Sequence, residues 1–480
     1  MCTAKNGFVC PAGRPWKCIA VYEMPETDDE WNELAEVVSS SKFHHPHHMP
    51  VRWHKTIRNG DMRAVDAELA DKTAVIARVG ILTLSGGTGG WRVREAMNRI
   101  ARALGVVCSA DVSFLTIECT CVDHGQHETL IVTLPTTGVN TERVWRMETL
   151  MKDFENCASQ LTIREMHRLM DQVEYQTRSS YSPAQVGFAS ALACAAFVFL
   201  LGGGPIEMLC AFVGAGVGNF TRRKLGDHRI THFACVGAAV SAACVAYLLT
   251  LLALSFLLPN AMSHEAGYIG AMLFVIPGFP LITSGLDIAK LDFKSGIERL
   301  CYALTVILVA TLFGWLVATV VHLQPDNFAP LGLSPEVTCL LRLAMSFCGV
   351  FGFSIMFNSP AKMAALAGVI GAVANTLRLE AVDLASMPPE AAALLGALVA
   401  GLLASEIRKR YTYPRISLTV PSIVIMVPGL YMYRAVYYLA NYQVTNCLIW
   451  LTRASLIVTF LPIGLACARI LTDRHWRYNS

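Results

Sequence analysis

The chain has 480 residues, 54% of them hydrophobic, and a mean hydropathy of +0.45; this excludes an ordinary soluble protein of about three domains. Charge is unevenly placed, with 43 of the 75 charged side chains in residues 1–180 and 32 in residues 181–480. The net charge of +3 comes from nearly matched acids and bases without long basic runs, which excludes nucleic acid as a partner.

Residues 1–62 read as a poorly ordered tail bearing cysteine and histidine. Its first thirty residues contain no apolar stretch behind a basic start, so no secretory leader is expected and the front of the chain should stay in the cytosol. FHHPHHM at 43–49, with His54 and with Cys2, Cys10 and Cys18 upstream, fits no zinc spacing, and no metal is expected. Nine of the sixteen cysteines lie in or beside apolar segments, where thiols act as small hydrophobes, and no disulfide framework is read.

Residues 63–180 follow an α/β pattern. Helical periodicity covers 64–84, 91–104, 141–157 and 162–177; strands are expected at 112–122 and 128–135, joined by a turn at Asp123-His124-Gly125. SGGTGG at 85–90 precedes a helix near Trp91. No lysine follows it, as a Walker loop requires, and no strand leads into it, as a dinucleotide fold requires. A loop and helix start is the reading, and no cofactor is expected. Cys119 and Cys121 share a strand face; with His124 they lack a third oriented partner for thiol chemistry and read as core.

From residue 181 onward, ten apolar runs of the length that crosses about 30 Å of hydrocarbon lie near 184–202, 205–221, 232–258, 266–286, 300–322, 338–357, 363–378, 389–406, 416–436 and 448–468. The connections that alternate with residues 1–180 hold fifteen lysines and arginines, among them Arg222, Arg223, Lys224, Lys290, Lys294, Arg408, Lys409 and Arg410; the opposite connections hold none. Basic residues mark the cytoplasmic side, so the expectation is an α-helical membrane protein of ten transmembrane helices with both termini in the cytoplasm.

The apolar half repeats itself. VIPGFPL at 275–281 matches MVPGLYM at 426–432, and GGGP (202–205) with AFVGAGVGNF (211–220) matches FNSP (357–360) with ALAGVIGAVAN (365–375). Five spans recurring as five place the second copy upside down, giving two inverted five-span repeats, 181–325 and 326–480, the plan of secondary transporters. Proline followed by glycine in mid-span loosens a helix and frees carbonyls that hydrocarbon cannot satisfy. Pro277-Gly278 and Pro428-Gly429 therefore mark a central binding site, with a packing kink as the alternative. Intramembrane charge counts as functional by default: Arg434 and Arg453 are candidate carboxylate forks, and Asp287 and Glu298, flanking the loop 287–299, are candidate proton carriers. Asn219 and Asn375 close the matched glycine-rich helices as ligand contacts or as links between helices.

RVREAMNRIARALGV (92–106), LPTTGV (134–139), LTIREMHRLMDQV (161–173), the GGGP span, VIPGFPLITSGLDIAKLDFKSGIERL (275–300), FGFSIMFNSPAK (351–362) and TVPSIVIMVPGLYMYRA (419–435) together resemble the bacterial threonine/serine exporter family. The resemblance runs from about 65 to 470. It implies a cytosolic N-terminal domain distantly like hydrolases, ten spans in the cytoplasmic membrane, and export of threonine and serine driven by the proton-motive force, with no reaction on the substrate. It leaves self-association open. Some relatives divide the halves between subunits and export dicarboxylates, which keeps a succinate-like substrate as an alternative. With Arg434 and Arg453 as the available cations, one carboxylate and one ammonium are easier to accommodate than two carboxylates. Glycines stand before Arg92-Val93, where the family carries small and acidic residues, which weakens a hydrolytic role for the front domain. A membrane-anchored hydrolase or sensor built on that domain is the rival from another class.

Overall fold

The computed structural model describes residues 51–178, 180–258 and 261–477. The histidine run 43–49 and Cys2, Cys10 and Cys18 lie outside these residues. The chain divides into two compact units, Met1–Ser180 with Lys290–Glu298, and Tyr181–Ala289 with Arg299–Ser480.

In the front unit, helix Leu69–Leu84 is buried along its whole length from Asp71 onward, because apolar residues occupy every face of it. Helices Gly90–Ala103, Thr141–Cys157 and Ile163–Gln176 and an antiparallel sheet, β1 (Val107–Val112), β2 (Thr116–Asp123) and β3 (Gln126–Thr133), complete the unit. The sheet turns Ile117, Cys119 and Cys121 inward to the same core as Val75, Ile76, Val93, Met97 and Phe154, so Cys119 and Cys121 are core residues. The strand expected at 112–122 divides in two: Ser113 N donates to Thr116 O at 2.8 Å, closing a tight turn, and β1 is a further strand. Apolar Val107 is exposed along with Ser109 and Asp111, and Cys108 and Ala110 are half-buried, which leaves little alternation to read. The expected turn after β2 is present, with His124 at φ 44° and Gly125 at φ 81°, the left-handed pair that matches strand twist in a two-residue hairpin.

The domain begins earlier than residue 63. Val51, Trp53 and Ile57 pack against the core, so the expected tail ends before these apolar side chains. Twelve described cysteines are free thiols. Lys290–Glu298 belongs to this unit by its contacts. Asp292 pairs with Arg94 at 2.9 Å, Lys294 with Asp111, and Phe114 N donates to Glu298 Oε2 at 2.8 Å. A Cβ on Gly90 would lie 2.5 Å from Asp292 Oδ2, so the glycine loop leads into a helix N-terminus where an internal carboxylate sits, as the dipole favours.

The second unit is helical. Among the described residues, seven helices are long and apolar enough to cross a membrane: Pro183–Leu200, His232–Ser255, Phe293–Val321, Pro335–Met356, Ala361–Ala385, Pro389–Arg410 and Val444–Thr472. Two bent pairs, Ala261–Val275 with Gly278–Ile288 and Arg415–Val424 with Gly429–Ala440, raise the number to nine if each is one span. The run expected near 205–221 forms helix Pro205–Asp227, long enough for a span but carrying Glu207, Arg222, Arg223, Lys224 and Asp227, and it is not among those nine. Small residues set the spacing between helices, as is common in lipid. A Cβ on Gly214 would lie 2.7 Å from Ala243 O, and one on Gly352 2.5 Å from Ala189 O.

The front unit also buries a polar cluster. Asp171 pairs with Arg78 and, at 2.6 Å, with His54 Nε2; Arg78 donates to His167 Nδ1 at 3.1 Å, and Trp53 stacks on the His167 ring at 6.3 Å. Burial lowers the His167 pKa well below its usual value, and the Arg78 charge beside it adds to the effect. Burial alone would raise Asp171, but Arg78 and His54 outweigh it and hold the carboxyl below its usual range. Both folded-state values are depressed. The Asp171 contribution is therefore present above about pH 3.9, whereas neutral His167 contributes above about pH 6.5 and loses that contribution as pH falls, by up to about 1.4 kcal/mol per pH unit. Denaturation midpoints of the detergent-solubilised chain should fall between pH 7.5 and 5.5, and the fall should be shallower in His167→Gln; parallel curves would show that His167 does not set the acid sensitivity.

Candidate functional site

Both expected helix breaks are present and have the same backbone. Pro277 (φ −81°, ψ 61°) and Pro428 (φ −81°, ψ 54°) each precede a new helix. Gly278 N donates to Ile276 O, and Gly429 N to Val427 O, both at 2.8 Å. These are inverse γ-turns, which satisfy one backbone pair locally while the axis swings by 55° and 50°. The two turns also adjoin. A Cβ on Gly278 would meet Val424 and Val427, each at 3.2 Å, and one on Gly429 would meet Leu273 at 2.7 Å. Glycine is thus required where the flank of one break packs on the other.

Beside the second break lies a cavity of about 620 Å³, within the range of small-molecule sites. Pro428, Gly429, Tyr431 and Arg434 line it together with Arg342, Arg378, Asn327 and Trp450. Helix Gly429–Ala440 starts at its wall, and first-turn N–H groups lack intrahelical acceptors. Arg434 Nη2 donates to Asp326 O at 2.9 Å and Asn327 Oδ1 at 3.0 Å, with its guanidinium 4.7 Å from the Trp450 ring. Arg342 is neutralised by Glu380 (2.9 Å) and Asp383 (2.5 Å). Among the described residues, Arg378 and Arg434 have no carboxylate within ion-pair distance, and the Nε of each is buried without a hydrogen bond. Among the described residues no carboxylate lines the cavity. Two uncompensated guanidinium groups beside a helix N-terminus form a receptor for anionic oxygens.

The structure brings Pro428, Gly429 and Arg434 together at this cavity, whereas Pro277 and Gly278 are not among its lining residues; Gly278 shares a separate small cavity with Gly429 at the facing break. Arg453 is exposed on helix Val444–Thr472 and does not line the cavity; its guanidinium lies 5.6 Å from the Trp450 ring. Asn219 and Asn375 are buried and tie helices together, Asn219 Nδ2 donating to Val186 O (3.0 Å) and Asn375 Nδ2 to Ser346 Oγ (2.8 Å). Asp287 is not in a loop: helix Gly278–Ile288 extends over it, and it is fully buried 3.6 Å from Arg299. Glu298, by contrast, holds the backbone of the β1–β2 turn in the front unit.

Arg378, Arg342, Trp450 and Asn327 are cavity residues that the sequence reading did not select. The signal for Arg378 was available, an arginine in an apolar stretch, but its distance along the chain from the second break concealed the association. A hydrogen bond of 2.7 Å between the hydroxyls of Tyr268 and Tyr433 links the first broken segment to helix Gly429–Ala440.

The ThrE family matches residues 74–322, and the family described as "Threonine/Serine exporter, ThrE" matches residues 342–471. The chain is also 26% identical over 267 residues to a Klebsiella aerogenes protein named "Probable succinate transporter subunit YjjP", an alignment that covers 54% of this chain and 96% of that one. No solved structure matches. Gly278→Val should leave abundance and membrane insertion unchanged and abolish solute flux, since its methyls must displace Val424 and Val427 at the facing break. Normal flux at normal abundance would reduce the first break to a packing kink.

Proposed function

Because the chain belongs to the threonine/serine exporter family, we propose that this multi-pass membrane protein is a secondary exporter of threonine and serine across the cytoplasmic membrane, driven by the proton-motive force. The observation that carries the reading is the cavity at a Pro-Gly break whose backbone and packing are matched by a second break. Interrupted helices at corresponding positions are the usual pointer to a transporter's central site. The substrate carboxylate is held by Arg378 or Arg434 and the N-terminus of helix Gly429–Ala440. Its ammonium meets Tyr431, the Trp450 face, or the Asn327 amide oxygen shared with Arg434. The two halves act as inverted five-span repeats, with helix Pro205–Asp227 as the tenth span, and their relative rocking exposes the cavity to either side.

A dicarboxylate substrate is the second reading, and the cavity gives it a specific footing. From the sequence alone, Arg434 and Arg453 are the cations available to a second carboxylate. With Arg453 outside the cavity and Arg378 inside, two cations without a carboxylate partner, Arg378 and Arg434, remain for two carboxylates, and among the described residues no acidic side chain lines the cavity to receive an ammonium. The YjjP relative is named for succinate. Counterflow in proteoliposomes with labelled threonine, serine and succinate separates the readings. Threonine and serine should exchange and succinate compete poorly; succinate exchange without threonine exchange transfers the assignment to dicarboxylates. Under that second reading Arg378→Gln should cost succinate at least tenfold in apparent affinity.

The fifteen-to-none distribution of basic residues supports a cytoplasmic location for both termini and for the connections at 222–229 and 408–415. Cysteines placed at Lys224 and Lys409, in a background without native thiols, should resist a membrane-impermeant maleimide applied to intact cells. Strong labelling of either site would invert the topology.

A further inference from the structure

We propose that Glu207 and His264 form the protonation site through which a proton gradient acts on transport; the inference rests on the proton-driven exporter reading and names its coupling residues. Among the described residues of the membrane unit, the carboxylates with almost no solvent exposure are Asp287 and Glu207. A proton carrier must bind and release a proton within each cycle, and the partners of these two carboxylates differ in that respect. Asp287 faces Arg299 at 3.6 Å, a permanent cation. Glu207 faces an imidazole, with Oε1 2.7 Å from His264 Nδ1, a side chain that, unlike a guanidinium, has both a neutral and a charged form. The pair can hold one exchangeable proton, or release it, without stranding a fixed charge.

The surroundings suit that role. The Glu207 side chain is 4% exposed and the His264 side chain 25%, so the imidazole bridges the buried carboxylate and the solvent. Tyr247 donates its hydroxyl to His264 O at 2.5 Å. The other titratable groups near Glu207 and Tyr247 are Cys210 and Glu265, with Asp326 beyond Glu265. None is a base that would lock Glu207 in its ionised form, and among the described residues no lysine or arginine lies within ion-pair distance of it.

The site also has a physical route to the cavity. Glu207 Oε2 accepts from Gly204 N at 3.0 Å, and Gly202, two residues earlier and at φ 104°, lines the cavity. A proton on Glu207 weakens the acceptor that fixes Gly204 and with it the glycine turn at the cavity wall. The proton enters from one aqueous phase and leaves to the other, and no other bond changes.

Glu207 also caps its own helix, so the test must separate capping from titration. Glutamine still offers Gly204 an acceptor, as in a capping box, but carries no exchangeable charge. Wild-type and Glu207→Gln proteins are reconstituted and assayed with threonine and with succinate, first for counterflow at equal pH and then for flux under an imposed pH gradient. The gradient should stimulate wild-type flux. Glu207→Gln should retain counterflow and lose at least tenfold of the stimulation, and His264→Gln should shift the pH profile of the stimulation. Undiminished stimulation in Glu207→Gln overturns the inference and leaves the exporter reading standing. Loss of counterflow together with stimulation assigns Glu207 to the structure and also overturns it. A wild-type protein without gradient response for either solute removes the proton-driven reading and the inference with it.

Discussion

Hydrocarbon offers no hydrogen bonds, so a helix that breaks within a membrane must satisfy its own backbone or stand beside something that can. The second unit meets this constraint twice with one device. At Pro277 and at Pro428 an inverse γ-turn satisfies one amide and one carbonyl, and the adjoining glycines let each turn press on the flank of the other. Either break alone would be a local irregularity. Facing one another, they form a joint in which the side chains around Gly278 and the path of helix Gly429–Ala440 depend on each other, and the cavity opens beside it. Tyr268 and Tyr433, joined through their hydroxyls, add a polar link across the same pair of segments.

Charge follows the same economy of partners. An arginine at the centre of a membrane costs about 2.5–3.5 kcal/mol on insertion scales, and most buried charges in this unit have that cost offset locally. Arg299 lies against Asp287, Arg342 is held by Glu380 and Asp383, and Arg415 donates to Gly401 O and Thr472 Oγ1. Arg378 and Arg434 border open volume with no carboxylate opposite them. Stability does not explain two uncompensated guanidinium groups at one cavity. The proposed ligand, which brings anionic oxygens, would compensate them.

Several of these features were legible in the sequence because they rest on local chemistry. Pro-Gly within an apolar run announces a break wherever it occurs, and both breaks stand where the pattern placed them. The hairpin at Asp123-His124-Gly125, the helix starts at Gly90 and Thr141 and the burial of Cys119 and Cys121 are equally local. What was not legible depended on rotation or on distant contacts. Arg453 was a reasonable candidate by position along its helix, but helix phase turns it outward. Asp287 read as a loop residue until its helix ran one residue beyond it and buried it. Arg378, Arg434 and Asn327 are far apart in sequence and meet only through packing, and β1 lacked the apolar alternation that identifies a strand.

The geometry also constrains how a proton and a solute can influence each other. Where both compete for one carboxylate, coupling is direct. Among the described residues no carboxylate lines the cavity, so these residues offer no shared group from which a solute and a proton would displace one another. Asp287 is held by Arg299 and Glu207 by His264, and neither borders the cavity. Any coupling must therefore be conformational, carried by an element that touches both places. The turn Gly202–Gly204 is such an element: one end lines the cavity, the other donates its N–H to Glu207, and the left-handed φ of Gly202 is a backbone state that a residue with a Cβ would adopt only at a cost. If, as proposed, a proton binds at Glu207 and a solute beside Arg378, the two act on opposite ends of the same three residues, and the free energy each transmits to the other is limited by how differently those residues pack in the two states.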